Sequence, residues 1–243
     1  MKQSIFTIET NRPLTDNVYL MKLCGDVSEI TAPGQFINIK LDGLYLRRPI
    51  SVCDCDKDSV TIIYKVVGKG TEQMSNMASG ELDILTGLGN GYDLSKSGDR
   101  PLLVGGGVGV PPLYMLAKRL IEEGKRVTVV CGFASAEDVF YEAEFKALGA
   151  EVYIATADGS YGAKGFVTDV IKNLSGYDYF YSCGPIPMFK AMEKVVTTSG
   201  QYSFEERMGC GFGACMGCSC ETKYGNKRIC RDGPVLEREE VIW

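Results

Sequence analysis

Four cysteines near the end of the chain carry the spacing of a metal centre: Cys210, Cys215, Cys218 and Cys230 read C-x4-C-x2-C-x11-C. The first two intervals are those of the plant-type run in which four thiolates hold the two irons of a [2Fe-2S] cluster. Gly209, Gly211, Gly213 and Gly217 suit that reading, because backbone wrapped around a cluster needs positive φ and close approach. Backbone N–H groups there can point at sulfur and help to set the potential. Two other readings stay open. A structural zinc normally takes two short C-x2-4-C knuckles, whereas here the fourth ligand stands alone. Disulfides need an oxidising compartment, and with no signal peptide in front the chain is expected to be cytoplasmic. Cys220 lies close enough to Cys218 to replace it in the ligand set.

Three further segments could hold phosphates or a nucleotide. Arg48-Pro49-Ile50-Ser51 sits in a strand-like run, and arginine's planar fork suits a pyrophosphate. Ser51 would face away from Arg48 on a regular strand, so a bend at Pro49 is needed to aim both at one ligand. A second run with Ile63, Tyr64 and Lys65 leads into Gly68-Lys69-Gly70-Thr71, a turn whose N–H groups can cradle an anion. Either segment alone is as readily an edge device or a plain turn. Third, Gly105, Gly106, Gly107 and Gly109 follow an apolar run and precede Pro111, the strand, glycine turn and helix start of a dinucleotide site or of a structural turn.

These segments need elements to position them. Residues 1–98 carry short β-branched runs at Ser4–Ile8, Val18–Leu23, Gln35–Ile39, Arg48–Cys53, Ser59–Val66 and Glu81–Leu85, the pattern of a small antiparallel barrel. Residues 99–200 alternate buried-type strands (Leu102–Gly105, Val127–Cys131, Val152–Thr156, Tyr179–Cys183) with helices at Pro111–Glu123, Ala136–Leu148, Phe166–Leu174 and Ile186–Thr197. That alternation makes a parallel sheet with helices on its faces. Residues 201–243 form a small cysteine segment. The fold class is therefore a β barrel plus an α/β domain with a C-terminal appendage.

The composition narrows the chemistry. The 243 residues include no histidine, which removes histidine bases, Ser-His-Asp triads and histidine ligands and leaves cofactor-borne redox chemistry. A net charge of −5 without basic clusters argues against nucleic acid, and no apolar run reaches membrane-spanning length. Cys24, Cys53, Cys55, Cys131 and Cys183 sit mostly among apolar residues and are expected to be buried thiols.

The Arg48 to Ser51 run with the Gly70-Thr71 turn resembles the flavin barrel of the ferredoxin–NADP reductase superfamily. The resemblance implies that Arg48, Gly70 and Thr71 meet the FAD phosphates and that Ser51 approaches the flavin ring. Many members stack a tyrosine where Ile50 stands. Cys183-Gly184-Pro185 resembles the superfamily's nicotinamide-side motif, which implies a positioning role for Cys183. Asp158, after the third strand, would repel a 2′-phosphate and favour NAD over NADP, or it simply belongs to an Asp-Gly turn. Over nearly all residues the chain resembles the electron-transfer subunit of class 1B dihydroorotate dehydrogenase. Gly87-Leu88-Gly89-Asn90-Gly91 and Asp232-Gly233-Pro234-Val235 belong to that match. It implies FAD and a [2Fe-2S] cluster held by Cys210, Cys215, Cys218 and Cys230, NAD as substrate, and an FMN-bearing partner that oxidises dihydroorotate in pyrimidine biosynthesis. The implied assembly is two copies of each subunit. The alternative is a diaphorase-type subunit of another redox complex such as a hydrogenase or sulfide dehydrogenase. Met208, Phe212 and Met216 would either meet a partner or pack around the cluster.

Overall fold

The N-terminal strands close on themselves in the computed structural model, which describes residues 1–243. β1 (Lys2–Pro13), β2 (Val18–Cys24), β3 (Phe36–Ile39), β4 (Arg48–Cys55), β5 (Ser59–Lys65) and β6 (Glu81–Leu88) form an antiparallel barrel ordered β1-β2-β5-β4-β3-β6. β1 runs past Ile8 because a bulge between Ile8 and Thr10 lets it continue along β2 to Pro13. Alternation sends Phe6, Met21, Leu23, Ile37, Ile39, Val52 and Ile62 into the barrel interior. The intervening positions face outward: Phe36 packs with the C-terminal segment, and Cys53 with Leu113, Leu116 and Phe145 of the second domain. The Gly68 turn opens a short helix, α1 (Lys69–Ser75), rather than a plain loop.

The second domain builds on β7 (Pro101–Gly106), α2 (Pro112–Glu122), β8 (Thr128–Phe133), α3 (Glu142–Ala147), β9 (Glu151–Thr156), β10 (Ala163–Lys164), α4 (Val167–Ile171), β11 (Tyr179–Cys183), α5 (Ile186–Met192) and β12 (Gly200–Ser203). These strands lie parallel in the order β10-β9-β8-β7-β11-β12. The order reverses between β7 and β11, where open α/β sheets bind ligands. The helix expected over Ala136–Leu148 is broken. Tyr141 takes a left-handed φ of 66°, which a continuous right-handed helix cannot contain, and α3 starts only after it. α5 stops at Met192, short of Thr197, ahead of the β-branched run Val195–Thr198.

The C-terminal segment forms a hairpin, β13 (Ser219–Thr222) and β14 (Gly225–Arg228), then α6 (Ile229–Asp232). It returns to the main sheet through β15 (Val235–Glu237), antiparallel to β12. The Gly87–Gly91 turn clasps it. The Asn90 side chain donates to the Val235 carbonyl (2.8 Å) and accepts from the Val235 N–H (3.1 Å), as a neighbouring strand would. Gly89 lacks a Cβ because one would lie 2.6 Å from Pro234 Cδ.

Candidate functional site

On the barrel, the two phosphate-type segments meet. Arg48 lies across Gly70: a Cβ at Gly70 would stand 2.8 Å from Arg48 Cζ, so any side chain there would displace the guanidinium from this position. Arg48 otherwise bonds the backbone carbonyls of Leu46 and Arg47. Its neighbour Arg47 is structural: the guanidinium bridges β3 and β6 through Asp83 Oδ1 (2.9 Å), Asp83 O (2.9 Å) and Asn38 O (3.3 Å). Register fixes the rest. Phe36 pairs with Ser51 and Asn38 with Pro49, so these four side chains share the barrel's outer face. Ile50 packs with the barrel interior and is absent from that platform. Tyr64 also points inward, its hydroxyl donating to Asn11 Oδ1 at 3.0 Å, and burial pushes its pKa to about 12; Ile63 faces the second domain. The Thr71 hydroxyl is occupied by its own turn, accepting from Val67 N (2.9 Å) and donating to Gly68 O (3.1 Å). If Arg48 meets the FAD phosphates as the reductase resemblance implies, Arg48→Ala should lower FAD affinity roughly 10–100-fold, the worth of one charge-assisted hydrogen bond, with little change in the apoprotein's melting temperature. Arg47→Ala should do the reverse, costing about 1–3 kcal/mol of stability while FAD is retained. Flavin release by fluorescence and thermal melts separate the two.

A cavity of about 710 Å³ opens between the barrel and the carboxyl ends of β7, β8 and β11, large enough for a nucleotide. Lys65 lines it from the barrel, Gly106, Gly107 and Phe133 from the strand ends, and Pro185 from the start of α5. Gly105 and Gly109 shape it from behind. A Cβ at Gly109 would lie 2.5 Å from the Cys183 carbonyl carbon and 2.8 Å from Gly184 Cα, and one at Gly105 would lie 2.9 Å from Val110 Cα. The cradle is a backbone-to-backbone packing of the glycine turn on the Cys183-Gly184 strand end. The Cys183 side chain is buried in the core beside Tyr92 and Tyr181, and burial raises its thiol pKa, so it stays protonated. Asp158 stands outside the lining: its Oδ1 accepts from Ser160 N (3.0 Å) and Ser160 Oγ (2.7 Å) in an Asp158-Gly159-Ser160 turn next to the lining residue Ala157.

Glu205, which its local sequence does not distinguish, also lines this cavity. The residue is exposed, yet the protein packed around its carboxyl raises its pKa by desolvation. A raised carboxyl pKa favours the protonated form in the fold. Stability contributed by the neutral acid is therefore lost as pH climbs from the ordinary glutamate range through the raised value. Glu205→Gln should melt above the wild type at neutral pH, with the gap closing as pH falls toward that ordinary range; parallel melting curves at all pH values would contradict this. Phe133 and Ala157 carried a legible signal, since Phe133 ends β8 and Ala157 follows β9, both at the carboxyl end of a parallel strand.

The C-terminal cysteines stand as two pairs. Cys210 Sγ accepts from the N–H groups of Ala214 (3.2 Å) and Cys215 (3.4 Å), with the Cys215 thiol beside it. Cys218 Sγ accepts from Cys230 N at 3.4 Å, and the thiols of Cys218 and Cys230 are neighbours. Partial burial opposes ionisation of Cys210, but N–H groups of Phe212, Cys215 and Ala214 aimed at the sulfur, with the Cys215 thiol, outweigh it and bring the pKa to about 6. No three His, Cys, Asp or Glu side chains close on a single point as around one ion. Two thiolates on each of two irons call for pairs, with N–H groups directed at sulfur, and the residues fit that group. Cys220 turns away: its Sγ faces the Glu221 carbonyl (3.7 Å), and burial among Glu206, Glu221 and Glu240 raises its pKa. Of the scattered cysteines, Cys53, Cys131 and Cys183 are buried, but Cys24 and Cys55 are only half-buried; Cys24 sits on the barrel surface and donates to Glu9 at 3.2 Å. Met208 packs into the C-terminal core, while Phe212 and Met216 are exposed.

Comparison with known proteins agrees with this layout. The iron-sulfur cluster binding domain of dihydroorotate dehydrogenase B matches residues 205–242, and an oxidoreductase NAD-binding domain matches residues 103–194. The electron transfer subunit of dihydroorotate dehydrogenase B (NAD(+)) from Geobacillus sp. (strain WCH70) is 48% identical over 258 residues, spanning 100% of this chain and 99% of that protein. The one from Bacillus pumilus (strain SAFR-032) is 49% identical over 255 residues, spanning 99% and 98%. Among solved structures, an NADH-dependent reduced ferredoxin-NADP oxidoreductase described for flavin-based electron bifurcation superposes with a TM-score of 0.90 at 30% identity, covering 99% of this chain and 90% of that one. A ferredoxin NADP+ reductase from Neisseria gonorrhoeae with bound FAD and NADP shares the fold at a TM-score of 0.69 and 15% identity, over 80% of this chain and 92% of that one. With barrel, nucleotide cleft and paired cysteines in one chain and close to half of its residues identical end to end, the protein belongs to the family of electron transfer subunits of dihydroorotate dehydrogenase B (NAD(+)).

Proposed function

We propose that this chain carries electrons from a dihydroorotate-oxidising, FMN-bearing partner to NAD+ in pyrimidine biosynthesis. Cys210, Cys215, Cys218 and Cys230 hold the [2Fe-2S] cluster. Arg48, Ser51 and the Gly70-Thr71 backbone hold FAD, with Pro49 supporting the platform. The Gly105–Gly109 turn and the Cys183–Pro185 strand end hold the nicotinamide nucleotide. Bound FAD supplies the chemistry that joins the other two, since it exchanges hydride with a nicotinamide and single electrons with a cluster. The observation that carries the reading is the barrel's place between the two sites. Its outer strand face supports the Cys210 loop through Asn38, and Lys65 of β5 lines the nucleotide cavity.

In this scheme residues 1–98 serve the flavin, 99–200 the nucleotide and 201–243 the cluster, the last returning through β15 to brace the nucleotide sheet. Cys183 positions the strand end and moves no proton, being buried and protonated. The negative charge of Asp158 beside Ala157 favours NAD over NADP. Exposed Phe212 and Met216 offer the partner an apolar contact next to the cluster, in an assembly of two copies of each subunit. No helix is long and apolar enough to cross a membrane, and the complex works in the cytoplasm.

The likeness to the bifurcating oxidoreductase favours one second reading, a diaphorase-type subunit of a different redox complex. Dihydroorotate added anaerobically to the purified complex without NAD+ separates them. Appearance of the reduced-cluster EPR signal is expected; a cluster that NADH reduces and dihydroorotate does not would move the chain to another complex.

A further inference from the structure

Asn38 is a polar side chain only 1% exposed, on the outer face of β3, and the strand pairing makes no use of its carboxamide. Its Nδ2 donates to the backbone carbonyl of Cys210 at 3.1 Å across 172 residues of sequence. Its Oδ1 is buried without a hydrogen-bond partner. The loop is shaped to receive it: Gly211 has a φ of +78°, and a Cβ there would lie 3.2 Å from Asn38 Cγ. A bulge in β3's pairing with β6 between Phe36 and Asn38 sets the strand locally. Arg47 holds the Asn38 carbonyl from below, fixing the backbone from which the side chain projects.

The neighbours of Asn38 give this contact its meaning. Asn38 pairs with Pro49, and two residues along Phe36 pairs with Ser51, so Asn38 and Ser51 stand on one platform a strand apart. The face that receives the flavin thus also carries the first cysteine of the cluster loop, with Asn38 at their junction.

We propose that Asn38 is the positioning residue that registers the cluster on the flavin barrel and raises the cluster's reduction potential through its hydrogen bond to the Cys210 carbonyl. The inference rests on the cluster and flavin reading above. The positive end of the carboxamide dipole points at a ligand's peptide group, where it favours the extra negative charge of the reduced state. Removing that donor lowers the potential and shifts the electron equilibrium back toward flavin.

The test uses the intact complex bearing Asn38→Leu, Asn38→Ala or Asn38→Gln, purified anaerobically. EPR-monitored redox titration gives the cluster potential, and stopped-flow with NADH resolves flavin bleaching from cluster reduction. FAD content and flavin bleaching are measured in each variant, and potentials and rates are compared per bound FAD. Leucine and alanine should both shift the flavin–cluster equilibrium about tenfold toward flavin, about 59 mV for a one-electron couple, and slow cluster reduction. Glutamine, which keeps a donor, should recover part of the shift. A leucine or alanine variant with a full cluster at the wild-type potential and rate would overturn the proposal. Loss of the cluster from both, with glutamine holding one at the wild-type potential, would reduce Asn38 to a structural seat and overturn its electronic role. A wild-type complex without any [2Fe-2S] signal would instead remove the cluster reading, and this proposal with it.

Discussion

Serine at Cys218 is expected to abolish the cluster, while serine at Cys220 leaves it in place. Cys218 is 3% exposed, its sulfur accepts the Cys230 N–H and it adjoins the Cys230 thiol, so the residue is built into the pair that would hold one iron. Cys220 lies two residues on, inside β13 (Ser219–Thr222), and its Sγ faces the Glu221 carbonyl. Cys218→Ser should lose the visible absorbance and the reduced-state EPR signal. Electron flow from dihydroorotate to NAD+ should fall by more than the roughly 10–100-fold typical of losing a group that merely supports a metal ligand. NADH should still bleach the flavin, because the nucleotide cleft and the barrel's Arg48 and Gly70 segments do not depend on that sulfur. Equal loss of the cluster in both variants would mean that the ligand set includes Cys220.

Alanine at Gly109 should damage the nucleotide side as severely. The added methyl would stand 2.5 Å from the Cys183 carbonyl carbon and 2.8 Å from Gly184 Cα, and backbone cannot rotate aside as a long side chain can. The glycine turn and the Cys183–Pro185 strand end must then separate. Overpacking of this kind costs about 1–3 kcal/mol, and the displaced turn should raise the KM for NADH at least about tenfold. Gly107→Ala is the contrast. Nothing lies within 4 Å of its Cβ, but its φ is +53°, so the cost is conformational strain of about 1–2 kcal/mol without a steric collision. Thermal melts and NADH steady-state kinetics on both variants check this; a Gly109→Ala protein with wild-type KM and stability would contradict the packing account.

The parts of this molecule that chemistry forces into short segments could be read from the sequence. The cysteine spacing, the glycines at the end of β7 and the Arg48 to Ser51 run each keep their chemistry within one short stretch of sequence, and the structure sets Arg48 against Gly70. The expectation that Arg48 and Ser51 point apart also holds, since Ile50 and Val52 turn inward while Ser51 pairs with Phe36 on the outer face. What escaped is set by contacts between distant residues. β15 joins β12 through a three-residue strand with no length of its own to signal it. Arg47 and Arg48 are adjacent and chemically alike, and only Asp83 and Gly70 separate their roles. Thr71, expected at the FAD phosphates, has its hydroxyl engaged by its own turn, and Tyr64 lies on a strand whose alternation buries it. Glu205 and Asn38 have no local pattern at all; each acquires meaning from the wall or loop it faces.

Dihydroorotate-dependent reduction of NAD+ by the native complex, isolated anaerobically through a tag on this chain, tests the central claim most directly. The account predicts NADH formation that requires dihydroorotate and disappears when Cys218 is replaced. A complex in which NADH still bleaches the flavin but dihydroorotate yields no NADH would contradict it, leaving the cofactors in place and assigning the electrons to a different donor.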